Sequence, residues 1–357
     1  MRRMMLACLL ALGAAPAFGQ QTVNVYNFAE FIARDQLKVF EQRTGIRVNY
    51  STYEADEMLD AALKSEQAPY DVVVPSATPF FARQLLAGLY RTIDAPKLAN
   101  WKNVDPAIAA QLDKLDPGHR HAVPWMWGTT GLGYNVAEIT KRLPDAPVDS
   151  LRLLFDPAIV SKFQDCGVRI VDSPTDVFPA ALKYLGLDPD SKKPEDLDRA
   201  AAAIMAIRPY VKLDTATYTT ALAEGQACLV LGYSGDIIQV RRRTDGKRDI
   251  RYVLPREGAL AYMTVAAIPK SAPNPQAGLR FLDFLMDPEM AAASSRVTRY
   301  ANAIPAATPL MPRSITDNPL IYPPAEIRAR LYAISAGTAA QMRELTLSWI
   351  EIKRSGE

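Results

Sequence analysis

Over residues 22–76 the chain alternates short β-branched runs with helical stretches. TVNVYNF (22–28) precedes a helical segment near 33–43, GIRVNYSTY (45–53) precedes a second near 55–65, and YDVVVPS (70–76) closes the series. The last run is almost continuously apolar between Asp71 and Pro75, the pattern of a parallel strand covered on both faces. Strand, helix, strand, helix, strand predicts a parallel α/β sheet. A second set begins near Gly133 with CGVRIVDSP (166–174), a helix through ALKYLG, helices near 194–208 and 218–225, and the strand ACLVLGYSG (227–235). Strands return in IRYVLP and AYMTVAAIP before a helix near 275–286. The chain shows no repeat of fixed period and no low-complexity segment. Its 357 residues suit two domains at roughly 150 residues each.

Open α/β sheets bind ligands outside the carboxyl ends of their strands. Residues 27–31, 76–78, 173–176 and 233–236 hold those places, and each cluster mixes aromatic, hydroxyl or carboxylate groups. That mixture suits a cation better than an anion. Phe28, Phe31, Tyr233, Tyr262 and Tyr300 sit in or just after predicted strands near an acid or hydroxyl. An ammonium desolvated against such faces gains on the order of 2 kcal/mol. Asp236 directly follows an apolar strand, so it either caps a helix N-terminus or meets a cationic ligand, and it can do both.

Catalytic constellations are missing. The chain has no G-x-S-x-G elbow, H-E-x-x-H, Walker loop or G-x-G-x-x-G. Gly128, Gly131 and Gly133 have the wrong spacing for a phosphate loop and mark a strand crossing or turn. His119 and His121 lie in DPGHRH without metal-ligand spacing around them, which reads as a solvated loop. Hydrophobic residues make up 49% and charged residues 22%, which excludes disorder for the chain as a whole. A net charge of +2, with no basic block longer than Arg241, Arg242 and Arg243, excludes a strongly basic nucleic-acid footprint.

The first nineteen residues place Arg2 and Arg3 before a short apolar run and small residues around Ala17 and Gly19, the order of a secretory signal peptide. Its removal takes two arginines and no acid, so the mature chain is neutral. No later stretch approaches the roughly 18 apolar residues of a membrane helix. Export leaves Cys166 and Cys228 as a lone pair, since Cys8 leaves with the leader. An oxidising compartment favours a bond between them, and two separate buried thiols are the alternative.

Ordered segments carry a family resemblance: YNFAEFI, VVPSATPFFARQL, AVPWMWGTTGLGYN, CGVRIVDSPTDVF, LGYSGDIIQV, LPREGALAYMTVAAIP, YANAIPAATPL and NPLIYPPAEIRARL. From Val23 to Gly356 the chain closely resembles the periplasmic polyamine-binding proteins of bacterial ABC transporters, especially the putrescine-binding branch. The resemblance implies an α/β, two-lobe periplasmic binding protein fold of type II. Each lobe is a mixed, mainly parallel sheet flanked by helices, and crossover strands join them. The expected division is residues 20–128 with 258–308 for the first lobe and 129–257 with 309–357 for the second. The resemblance also supports a Cys166–Cys228 disulfide. It implies a monomeric periplasmic receptor, with no catalysis, cofactor, metal or nucleic acid, that captures a cationic amine between its lobes and delivers it to ABC permease subunits. An amine-sensing receptor subunit for signalling would use the same pocket.

Carried across by residue, the family's ligand set shows where this chain departs. The aromatic, Ser, Asp, Tyr run after the first strand appears as Phe28, Ala29, Glu30 and Phe31, and Ser76 keeps its match. Asp176 stands where glutamate is usual and Tyr233 where a tryptophan usually flanks the amine, while Asp236 and Tyr300 are retained. Tyr262 fits an aromatic position, but Thr264 replaces an aspartate that grips an amine. A buried ammonium needs a compensating charge. The substitution at 264 therefore leaves three ligands open: a diamine bound more weakly, an acylated or amino-acid-like monoamine, or a larger amine.

Overall fold

The computed structural model describes residues 21–65 and 69–356, so the expected leader lies outside the described residues. Strand β1 (Thr22–Phe28) pairs in parallel with β2 (Arg47–Tyr53) and with β3 (Val72–Val73). Helix α1 (Arg34–Thr44) lies between β1 and β2, and ends where Gly45 takes φ 72° and returns its N–H to the Glu41 carbonyl. Helix α2 (Asp56–Lys64) follows β2, with Asp56 and Glu57 in its first turn and Lys64 in its last, a charge order that complements the helix dipole. The predicted strand over 70–76 pairs only at Val72 and Val73. Asp71, fully buried, instead accepts the Asn24 and Asn274 backbone N–H groups and so ties β1 to the segment before residue 275.

The long β4 (Ala122–Asn135) is where the glycine-spaced segment falls. Asp116, 1% exposed, accepts the N–H groups of His121 and Ala122 at its start, and His121 Nδ1 lies 2.7 Å from the same carboxylate. The two histidines are thus half-buried and engaged, His119 against Trp101 and His121 on Asp116, where the sequence suggested a solvated loop. Next come β5 (Val168–Ile170), helix α3 (Pro174–Tyr184), β6 (Lys212–Leu213), helix α4 (Tyr218–Glu224), β7 (Leu229–Tyr233) and helix α5 (Ser234–Arg243). Then β8 (Ile250–Val253), β9 (Ala259–Ala267), β10 (Ala301–Asn302) and β11 (Leu331–Tyr332) complete the strands.

One mixed sheet runs in the order β2-β1-β3-β9-β4-β7-β5-β6, with β8 and β10 also on β4 and β11 on β9. Its two ends are parallel, as the alternating pattern predicts, and its centre is antiparallel. The centre joins two lobes. The early part of β4 pairs with β9 and β10, and its later part pairs with β7 and β8. One apolar core gathers Val23, Val25, Trp125, Phe281 and Ile304, and extends to Met311, Ile315 and Ile321. The other gathers Leu132, Phe163, Ile170, Phe178 and Leu231, with Trp349 and Ile352 from the last helix. A disulfide joins Cys166 to Cys228 with 5.5 Å between their Cα atoms, just before β5 and β7. No helix among the described residues is long and apolar enough to cross a membrane.

Candidate ligand cleft

The strand ends converge on one cavity between the lobes. Phe28, Ala29 and Phe31 come from the end of β1, Tyr53 and Asp56 from the end of β2 and the start of α2, and Ser76 from beyond β3. The facing lobe supplies Asp176 from the first turn of α3, Tyr233 from the end of β7 and Asp236 from the first turn of α5. Tyr262 and Thr264 enter from β9, and Tyr300 from the residue before β10.

Aromatic rings line this space in contact with one another. Ring centroids lie 5.7 Å apart for Phe28 and Phe31, 4.7 Å for Phe31 and Tyr300, 6.4 Å for Tyr300 and Tyr262, and 5.5 Å for Tyr262 and Tyr233. Glycines make room for them. A Cβ on Gly128 would stand 2.8 Å from the Tyr300 ring, and one on Gly235 would stand 2.5 Å from its other edge. The glycines of β4 are therefore close-approach positions inside a strand, not a turn.

The carboxylates are held at defined atoms. Asp236 Oδ1 accepts the Tyr300 hydroxyl at 2.7 Å and its Oδ2 accepts the Tyr218 hydroxyl at 2.8 Å. Asp176, 7% exposed, accepts Thr130 Oγ1 at 2.6 Å, Ser173 Oγ at 2.7 Å and the Tyr233 hydroxyl at 3.2 Å. Asp56, 8% exposed, accepts the Ser76 backbone N–H at 3.0 Å. None of the three forms an ion pair with a Lys or Arg among the described residues. Burial pushes all three carboxyls above the usual range, Asp56 to about 7, while hydroxyl donors pull Asp176 and Asp236 back toward the charged form. Such a cavity disfavours anions, and an entering cation relieves the desolvation of each acid.

Ten of the eleven expected site residues line the cavity. Glu30 does not. At φ 54° it turns out to the rim, where its exposed carboxylate pairs with Arg243 of α5 and bridges the two lobes. Thr264 lines the cavity, but its 1% exposed side chain donates to the Met126 carbonyl at 3.0 Å and accepts the Met126 N–H at 3.2 Å. It closes the irregularity in the β4–β9 ladder between Pro124 and Trp127. Residues that sequence reasoning passed over include Tyr53, Glu54, Asp56 and Glu57 at and just beyond the end of β2, and Tyr218, which orients Asp236 from α4. The rule of strand carboxyl ends, applied to GIRVNYSTY, points to the first four. Nothing in the sequence marks Tyr218.

Residues 35–323 match the family model described as bacterial extracellular solute-binding protein. The chain belongs to that family. This solute-binding protein is 42% identical to the putrescine-binding periplasmic protein SpuD of Pseudomonas aeruginosa, over 96% of its own length and 94% of the relative's. It is 38% identical to the putrescine-binding periplasmic protein PotF of Escherichia coli, over 94% and 92%. In three dimensions it resembles the spermidine/putrescine ABC transporter substrate-binding protein PotD of Streptococcus pneumoniae, with a TM-score of 0.75 at 22% identity over 94% of this chain and all of that one. The likeness extends the two-lobe architecture to the whole described chain.

Proposed function

We propose that the cleft captures a polyamine or closely related cationic amine outside the cytoplasm, in the periplasm, and that the loaded protein hands it to the permease subunits of an ABC importer. The observation that carries this reading is the acid lining of an aromatic space between lobes, Asp56, Asp176 and Asp236 held in its wall with the more exposed Glu54 and Glu57 beside them, and no ion-pair partner for any of them among the described residues. The relatives named for putrescine binding support the same substrate class. In this reading Phe28, Phe31, Tyr233, Tyr262 and Tyr300 enclose the alkyl chain and face its ammonium groups, Ala29 and Ser76 complete the wall, and Thr264 shapes it without charge. Two bodies close on the ligand, residues 21–128 with 258–321 and residues 129–257 with 322–356, a return crossing later than the expected one at 308/309. The return crossing falls after Ile321, because Met311, Ile315 and Ile321 pack in the first core.

A thermal-shift screen of the mature protein with putrescine, cadaverine, spermidine, agmatine and N-acetylputrescine tests the reading. A ligand at 100 times its Kd adds about 2.7 kcal/mol of stability, a shift of several degrees. Stabilisation by at least one amine, and none by sugars or amino-acid anions, is expected. A flat response to every amine overturns it.

A further inference from the structure

A diamine anchored by one ammonium at Asp236 carries a second charge that also needs a partner in the cleft. We propose that Asp56 and Asp176, one from each lobe, together hold the second ammonium of a diamine whose first ammonium sits at Asp236. This inference rests on the amine reading and deepens it.

Asp56 opens helix α2, and an acid in a first helical turn is ordinarily a solvated partner of the helix dipole. This one is not solvated. It is 8% exposed, lines the cavity, and faces no cation within ion-pair distance among the described residues. Its one backbone donor is the Ser76 N–H. Ser76 in turn pairs with Thr264 in an isolated bridge, so Asp56 reaches the cavity beside a residue whose hydroxyl is already engaged by Met126. Thr264 brings no charge to that end, and Asp56 does.

The acid opposite belongs to the other lobe. Asp176 is fixed by three hydroxyls of its own surroundings, and it lines the same cavity as Asp56 from the opposite lobe. Lobe closure thus brings two buried carboxylates together with nothing basic between them, an arrangement that an ammonium relieves and a neutral group does not. The Tyr262 ring meets Tyr233, whose hydroxyl donates to Asp176, and Tyr300, whose hydroxyl donates to Asp236, so an aromatic wall joins the two acid ends. An alkyl diamine has the matching form, a cation at each end and an apolar middle.

Asp56→Asn tests this with little risk to the fold, because the amide oxygen still accepts the Ser76 N–H. Asp56→Ser, which removes the charge and keeps a small hydroxyl in that first turn, serves as the second variant, and thermal melting of the ligand-free proteins checks that both remain folded. Calorimetric titration of each with putrescine and with N-acetylputrescine should show putrescine weakened about 30-fold or more, the loss typical of a desolvated charge partner. The acetylated monocation should change less than about threefold. Putrescine binding within about threefold of wild type, or equal losses for both ligands, overturns the role of Asp56 alone. A wild-type protein that binds neither compound nor any other amine removes the amine reading itself and this inference with it.

Discussion

At one end of the cleft Asp236 is gripped on both oxygens by phenols, Tyr300 at 2.7 Å and Tyr218 at 2.8 Å, delivered from different lobes. At the other end Asp176 receives three hydroxyls, while Asp56 confronts it with a single backbone N–H in place. Both ends are acidic, Asp56 and Asp176 buried and Asp236 half-buried, yet they are compensated differently. The Asp236 end is organised by donors that favour its charged form, so it can anchor one cation whatever the rest of the ligand carries. The Asp56–Asp176 end sets two buried acids on one cavity wall, with Asp56 raised to about 7 chiefly by burial, and an ammonium there would compensate both. On the proposed reading the contrast separates anchoring from discrimination: one end would supply affinity for any amine, and the other would distinguish a dication from a monocation.

The largest expected effect breaks the anchoring end. Asp236→Asn should weaken putrescine and N-acetylputrescine alike by about 2 to 5 kcal/mol, since both use that end. Calorimetry that finds the acetylated ligand bound as tightly as before would reverse the assignment of the two ends. A smaller effect isolates Thr264. Replacing it by Val leaves the buried Met126 N–H and carbonyl without their partner, so the fold should lose about 1 to 3 kcal/mol by chemical denaturation. Putrescine affinity should hold within about threefold, and a collapse of binding in a folded Thr264→Val protein would put the hydroxyl on the ligand. The smallest effect concerns the rim. Glu30→Gln breaks an exposed interlobe pair with Arg243, worth at most about 1 kcal/mol, so affinity should fall less than about fivefold and the difference should fade in high salt. A loss that persists in high salt would place Glu30 inside the closed site.

The same two ends differ in how far the sequence reveals them. Asp236 is visible because it follows an almost wholly apolar strand, where a carboxylate calls for an explanation. Asp176 and Tyr233 are visible for the same reason, at the ends of their own strands. Asp56 is hidden by its setting, since EADEML reads as an ordinary acidic helix start, and only the packing of Ser76 and the facing lobe buries it. Tyr218 is hidden because its hydroxyl reaches Asp236 across a sequence separation of 18. The parallel ends of the sheet are legible in the alternation of strand and helix. The antiparallel centre is not, because the glycines of β4 imitate a turn until the Tyr300 and Tyr252 side chains that occupy their missing Cβ space are seen. The resemblance places Glu30 in the cavity, as the acid of the run after the first strand, but a single residue with positive φ suffices to turn it outward.

The arrangement of charge at the two ends is tested most directly by a crystal structure of the wild-type protein with putrescine bound. One nitrogen should lie within hydrogen-bond distance of Asp236, and the other should lie between Asp56 and Asp176 and touch both carboxylates. A second nitrogen that bonds only water, or that turns toward Glu54 or Glu57 while Asp56 stays unoccupied, would contradict the account.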